Sequence, residues 1–178
     1  HALDSARAFA AEAGRLTSLG VAGAFGTVLA TDPADPRSLT VRLTQGGTML
    51  PDRTYYLSAD AASTAVRRAY ERYLATIFQL TGRTDPVADA AEVLALETEI
   101  ARAQLQEDEA RAEAASPRRF TLAELSAAMP GFDWLAWARP QNLHQAPAVL
   151  VAHPPFFQRF AALVAAGPID RWRVWLAA

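Results

Sequence analysis

QGGTMLPDRTYYL, residues Gln45–Leu57, joins an extended run to a long helical pattern. Gly46 and Gly47 permit backbone angles closed to other residues, and Pro51 fixes a turn. Tyr55, Tyr56 and Leu57 then supply a bulky apolar anchor. Such a run predicts an ordered, packed connection and argues against a flexible linker. Just upstream, Leu39–Leu43 alternates apolar and polar side chains with β-branched residues between them, the pattern of a short half-buried strand. Downstream, Val66, Tyr70, Tyr73, Leu74, Ile77 and Phe78 recur at helical spacing between Asp60 and Leu80, and Gly82 lies in the C-terminal cap region.

Working outward, a helix of some thirty residues is expected from Asp85 or Pro86 to about Ala115. Its first half packs through Val93, Leu96, Ile100 and Ala103, and its polar second half (QEDEARAEAA) projects. Leu3–Leu19 reads as a helix capped by Asp4 or Ser5 and ended by Gly20. Val21–Leu29 reads as a second short helix, and TDPADPRS (Thr31–Ser38) as a turn-rich connection. SPRRF (Ser116–Phe120) breaks the long helix, and Thr121-Leu-Ala-Glu124 opens another with a capping box. MPGFDWLAWARP (Met129–Pro140) places Trp134 and Trp137 one turn apart, a spacing that suits core packing better than a ligand platform. Ala146–Ala152 is strand-like. It is expected to pair with Leu39–Leu43, since each needs a partner. Pro154 starts a helix carrying Phe156, Phe157, Phe160 and Leu163, and Pro168 starts a last one carrying Trp172, Trp175 and Leu176. That last pattern reaches Ala178 without a cap, which suggests a continuing chain. The expected fold is mainly α: an irregular bundle of about seven or eight helices with one small two-stranded sheet, 39–43 paired with 147–152. Residues 1–178 form part of one helical domain.

Composition narrows the function. The 178 residues have a net charge of −2, and the seventeen basic residues are all Arg, scattered among nineteen carboxylates, so no nucleic-acid footprint arises. There is no Cys, which excludes disulfides, thiolate metal sites and thiol nucleophiles. No apolar run approaches the ~20 residues that span a bilayer, and no signal peptide is visible. The chain begins at His1 without Met, as a processed protein or an excised piece does. Glu97 falls inside the apolar stripe of its helix, where an unpaired carboxylate is costly. A general acid or metal ligand is one reading. A structural carboxylate bonded to an Arg or a backbone N–H is the better one, because no His or second carboxylate shares that stripe. His144 and His153 are nine residues apart across an expected strand, a spacing that forms no zinc-binding turn. Phosphate-loop and nucleophile-elbow patterns are missing too. The chain by itself carries no recognisable catalytic or metal-ligating set.

Gln45–Leu57 resembles the "Q-x-G-L-x-L-P-x-R-x-Y-Y-L" stretch of the neprilysin, endothelin-converting enzyme and bacterial oligopeptidase O family of zinc metallopeptidases. On that pattern Gln45, Gly46, Gly47, Leu50, Pro51, Arg53, Tyr55, Tyr56 and Leu57 are signature positions of structural kind. The similarity continues with YERYLATIFQLTG (Tyr70–Gly82) and the Val93, Leu96-Glu97-Thr98, Ile100-Ala101 pattern. It goes on through Leu125–Trp134, which includes Pro130, Phe132 and Trp134, then Pro154–Phe157 and Trp172–Leu176. One region departs from the family: ARAEAASPRRF (Ala110–Phe120) stands where the family has "R-x-x-R-D … Y-N". The resemblance implies the non-catalytic helical domain that roofs the active-site cavity and restricts substrates to peptides. The zinc, its His-Glu-x-x-His ligands and the catalytic domain would lie in a C-terminal part of the parent outside this chain. It also implies a periplasmic, secreted or envelope-associated setting. The alternative is a stand-alone helical module that binds a partner or regulates without catalysis.

Overall fold

Arg42 lies opposite Leu150, and Leu43 opposite Val151, in a parallel pairing of the two segments expected to need each other. The computed structural model describes residues 3–21 and 23–178. Among them are four strands: β1 (Gly26–Asp32), β2 (Asp35–Thr44), β3 (Arg118–Phe120) and β4 (Val149–Val151). They form one sheet in the order β1-β2-β4-β3, antiparallel at both outer pairs. The expected two-stranded core of the sheet is therefore extended by one strand on each side.

Nine α-helices surround it among the described residues. The first four are α1 (Ala6–Ser18), α2 (Thr54–Leu57), α3 (Ala61–Leu80) and α4 (Pro86–Ala103). Next come α5 (Glu107–Ala114), α6 (Leu122–Ala128) and α7 (Trp134–Ala138). Two 3-10 turns, Arg139–Gln141 and Leu143–Gln145, lead to β4, and α8 (Pro154–Ala166) and α9 (Ile169–Trp175) close the chain. Side-chain caps set several of the starts. Ser5 accepts from Ala8 N–H at 3.2 Å, Asp60 from Ser63 N–H at 2.8 Å, and Asp85 from Ala88 N–H at 3.1 Å. Thr121 and Glu124 form the expected capping box.

Two sequence expectations are corrected. The helix expected over Val21–Leu29 is not formed in its described second half: from Gly26 the chain is β1, hydrogen-bonded along β2 from Gly26–Thr44 to Thr31–Leu39. The run Thr27-Val28 favours extended backbone, and Gly26 lets the strands approach, since a Cβ there would stand 2.2 Å from Thr44 Oγ1. The thirty-residue helix is also interrupted. It ends at Ala103, Gln104 turns to extended backbone (φ −64°, ψ 145°), and α5 begins separately at Glu107.

The core is aromatic. Phe25, just before β1, has ring centroids 5.1–5.9 Å from Phe132, Trp134, Trp137, Phe157 and Phe160. Trp134 and Trp137 are fully buried in it, so they pack the interior and offer no ligand platform. On the other side of α4 a smaller cluster holds Tyr70, Leu74 and Phe78 of α3 against Ala90 and Val93. Helix α4 is thus sandwiched, and the Gln45–Leu57 loop crosses its C-terminal half.

Candidate functional site

The loop is fastened to α4 at successive turns of the helix. Glu97 is buried, with 4% of its surface exposed. The Tyr56 hydroxyl donates to its Oε2 at 2.6 Å, and the Tyr70 hydroxyl to its Oε1 at 3.1 Å. Tyr56 also accepts from Leu50 N–H at 2.8 Å, which closes the loop upon itself. Burial pushes the Glu97 carboxyl above its ordinary range, and the two phenols oppose that shift by stabilising the anion. Both phenols are pushed well upward in turn, first by burial and then by the neighbouring Glu97 charge. A partner Arg or backbone N–H was expected for this carboxylate; its closest partners are the two tyrosines, with the Met49 backbone contributing as well. It is enclosed, and each of its oxygens accepts from a phenol.

Nearly two turns later, at Ala103, helix α4 ends. Its last carbonyls have no partners within the helix and must find them elsewhere. Arg53 Nε donates to Ala101 O at 3.1 Å, and Arg159 of α8 donates to Ala103 O at 3.3 Å. Two guanidinium groups at a helix C-terminus also suit its dipole. Gln104 then turns inward and donates from Nε2 to Gly46 O at 3.1 Å and Thr48 Oγ1 at 3.2 Å. Gln45 completes the fastening with a peptide-like pair: Leu105 N–H donates to its Oε1 at 2.8 Å, and its Nε2 donates to Leu105 O at 3.2 Å. These bonds hold Gln104 and Leu105 at the point where the helix stops, just beyond Ala103. Gly47 sits at φ +84°, and a Cβ on it would stand 2.6 Å from Ala24 O, so the second glycine answers both a backbone and a space requirement.

Among the remaining signature positions, the Tyr55 carbonyl accepts from Arg67, while Pro51 and Leu57 are exposed. Pro130, Phe132 and Trp134 do not join this site. Phe132 and Trp134 lie in the aromatic core, and Pro130 is exposed at the turn before Gly131 (φ +112°). Phe25 links the loop and that turn: its ring meets Phe132 and Trp134, and its backbone would stand 3.0 Å from a Cβ on Gly46. Sequence reading missed Phe25, Tyr70 as a Glu97 partner, and Gln104. A Gln at the end of an apolar stripe is a local signal that could have marked the break.

Two surface clefts share the loop as a wall. One, of about 590 Å³, runs between Thr48–Thr54 and Gln104–Glu107. The other, of about 520 Å³, lies between Gln45–Thr48 and Thr17, Val21 and Phe25. His153, just before α8, is buried behind that wall. Its Nδ1 accepts from Gln45 N–H at 2.9 Å, and its Nε2 lies 3.1 Å from Ala110 O. His144 is exposed on a 3-10 turn, and His1 lies outside the described residues.

Comparison with known proteins places this architecture. The model of peptidase family M13 matches residues 2–178. The chain belongs to peptidase family M13. Endothelin-converting enzyme-like 1 of Rattus norvegicus is 26% identical over 163 residues, which is 86% of this chain and 21% of that protein. Endothelin-converting enzyme 1 of Homo sapiens is 23% identical over 147 residues, 79% of this chain and 19% of the relative. The M13 chain therefore spans about a fifth of the length of these relatives. Among solved structures, Mycobacterium tuberculosis zinc metalloprotease ZMP1 in its open state superposes with a TM-score of 0.85 at 32% identity. The match covers 97% of this chain and 27% of that one. PEPO from Lactobacillus rhamnosis HN001 shares the fold, with a TM-score of 0.72 at 18% identity over 98% of this chain and 28% of its own. The chain is mainly helical and matches the N-terminal part of that family. Zinc chemistry accompanies the family, yet the M13 residues described here do not fit a zinc ion. No group of three His, Cys, Asp or Glu side chains converges among the described residues, and both nitrogens of His153 are spent on backbone groups. Among the described residues no helix is long and apolar enough to cross a membrane.

Proposed function

We propose that residues 1–178 form part of the helical domain that roofs the active-site cavity of an M13 zinc metallopeptidase. In this reading the chemistry belongs to a catalytic part of the same polypeptide, which holds the zinc and is this domain's partner. The roof contributes by steric selection, admitting peptides and excluding folded proteins. The observation that carries it is how the signature loop spends its polar groups. Glu97, Tyr56, Arg53, Gln45 and Gln104 are all turned inward onto one another and onto the end of α4. Residues used in this way brace a wall and leave nothing to attack a substrate. The fourfold to fivefold greater length of the relatives supports the same reading.

The test compares a ladder of peptides and a folded protein as substrates of the full-length enzyme and of its Tyr56→Phe/Tyr70→Phe variant, which loosens the brace. A sharp upper size limit in the parent is expected. In the variant that limit should blur, while kcat/KM for a short peptide changes less than about threefold, the scale of a small uniform perturbation. A parent enzyme that cuts the folded protein as readily as short peptides would overturn the roof.

A further inference from the structure

The single hydrogen bond from the start of the signature loop to His153 has a property that no other bond in the brace shares: it exists in one protonation state only. Gln45 N–H must donate to Nδ1, so Nδ1 carries no proton, and Ala110 O must receive the proton on Nε2. The ring is therefore neutral, in its Nε2–H tautomer. A proton added at Nδ1 would set N–H against N–H across 2.9 Å, while the bond to Ala110 O would survive and strengthen as a charge-assisted one.

We propose that His153 is a proton-operated latch on the wall Gln45–Thr48, closed with a neutral imidazole and released at Gln45 when the ring is protonated. The segment it governs is the partition between the two clefts, both of which are lined by Gln45, Gly46 and Thr48. Nothing in this inference depends on the roof reading.

The surroundings agree with a latch set closed at neutral pH. Burial is the main cause holding the imidazole below its usual range. Arg42 of β2 disfavours a second positive charge, and Glu113 of α5 favours it. Arg42 has its Nε buried without a partner while its Nη2 donates to Ala114 O. On the ring's own helix, Arg159 is directed away, to Ala103 O. Strand β4, which precedes the ring, carries no titratable side chain. Helix α5, on the far side of the ring, buries no side chain of its own, so it is held by these polar contacts in place of a core. Because folding lowers the imidazole pKa, the closed state is fully favoured above the free-imidazole value of about 6.5 and is lost as pH falls through the lowered one.

The experiment follows the His153 ring nitrogens by NMR in the full chain from pH 8 to pH 4.5. In the same samples, amide exchange at Gln45–Thr48 is measured and corrected for the intrinsic rate. Protection at Gln45 should fall by tenfold or more with the midpoint of the ring titration, while Ala152 N–H, which donates to Leu43 O at 2.9 Å, keeps its protection. His153→Gln supplies an acceptor and a donor without titrating, and it should hold Gln45 protected across the range. His153→Phe should leave Gln45 exchanging rapidly at every pH. Should that variant fail to fold, the Gln variant decides alone. Ring protonation without loss of protection at Gln45, a ring that stays neutral to pH 4.5, or an unchanged pH response in His153→Gln would each overturn the latch.

Discussion

Replacing Tyr56 by Phe removes one oxygen atom and nothing else, and that atom serves two partners. It donates to Glu97 Oε2 at 2.6 Å and accepts from Leu50 N–H at 2.8 Å. A hydrogen bond to a carboxylate contributes about 1.5–3 kcal/mol, and a half-buried N–H left without an acceptor costs about 1 kcal/mol more. The expected loss is therefore about 3 kcal/mol. At this chain length each kcal/mol moves the melting temperature by about 2–4 °C, so a fall of about 6–12 °C is expected by calorimetry or circular dichroism. Tyr70→Phe deletes only a 3.1 Å bond to the same carboxylate, and it should cost about half as much. The double variant should lose less than the sum, because the first substitution already drives Glu97 toward its neutral form. A Tyr56→Phe melting temperature within 2 °C of wild type, or a larger loss for Tyr70→Phe, would refute the reasoning that the loop is fastened through this carboxylate.

Three further outcomes follow from the same geometry. Gly47→Ala places a Cβ 2.6 Å from Ala24 O at φ +84°, and the left-handed backbone and the clash together should lower unfolding free energy by about 2–4 kcal/mol in urea titration. Glu97 has a raised folded-state pKa, so the native protein holds its proton more tightly than the unfolded chain. Its contribution is fully present below about pH 4.5 and declines as pH rises through the raised value. The stability of wild type relative to Glu97→Gln should therefore fall as pH rises above about 4.5, and a difference flat with pH would contradict this. Arg171 bridges Glu92 and Glu99 of α4 from α9 and is only 20% exposed. Arg171→Met should cost about 1 kcal/mol, less in 1 M salt, read as the denaturation midpoint.

The helices were legible because each had a cap or a stop written beside a 3.6-residue stripe. Asp60 with Gly82 frames α3, and Thr121 with Glu124 opens α6. The pairing of β2 with β4 was legible by need, as each segment lacked any other partner. What failed to show were the features that a distant segment imposes. A short run such as AFGTVLA serves as helix or strand, and only ten residues of β2 alongside it decide for strand. The local signals at Ala103–Gln106 are faint, a Gln at the end of the stripe and a capping box at Gln106 and Glu109; the strongest bonds at the break come from Gln45 and Gly46, about 58–60 positions away in sequence. Strands β3 and β4 are three residues each, and β3 is held in the sheet only by β4, which in turn needs β2. In the candidate site the signature loop announced its own importance. The identity of its partners, Tyr70 and Gln104 above all, depended on which faces of α3 and α4 came together.

Strand β4 has a consequence for the order of assembly. It is an inner strand whose neighbours are both remote in sequence. Its contacts with the β2 side, Thr40 to Ala148 and Gln45 to His153, each span 108 positions, whereas α3 and α4 are joined by a short turn and can pair almost as soon as both exist. Loop-closure entropy grows with span, and it is spent before any native contact across the loop can compensate. The helical pair and the β1–β2 hairpin are thus early structure, and insertion of β4 is the late event that makes the sheet whole. Substitutions at Val149–Val151 should accordingly speed unfolding and leave the folding rate nearly unchanged, while those in the α3–α4 pair slow folding itself.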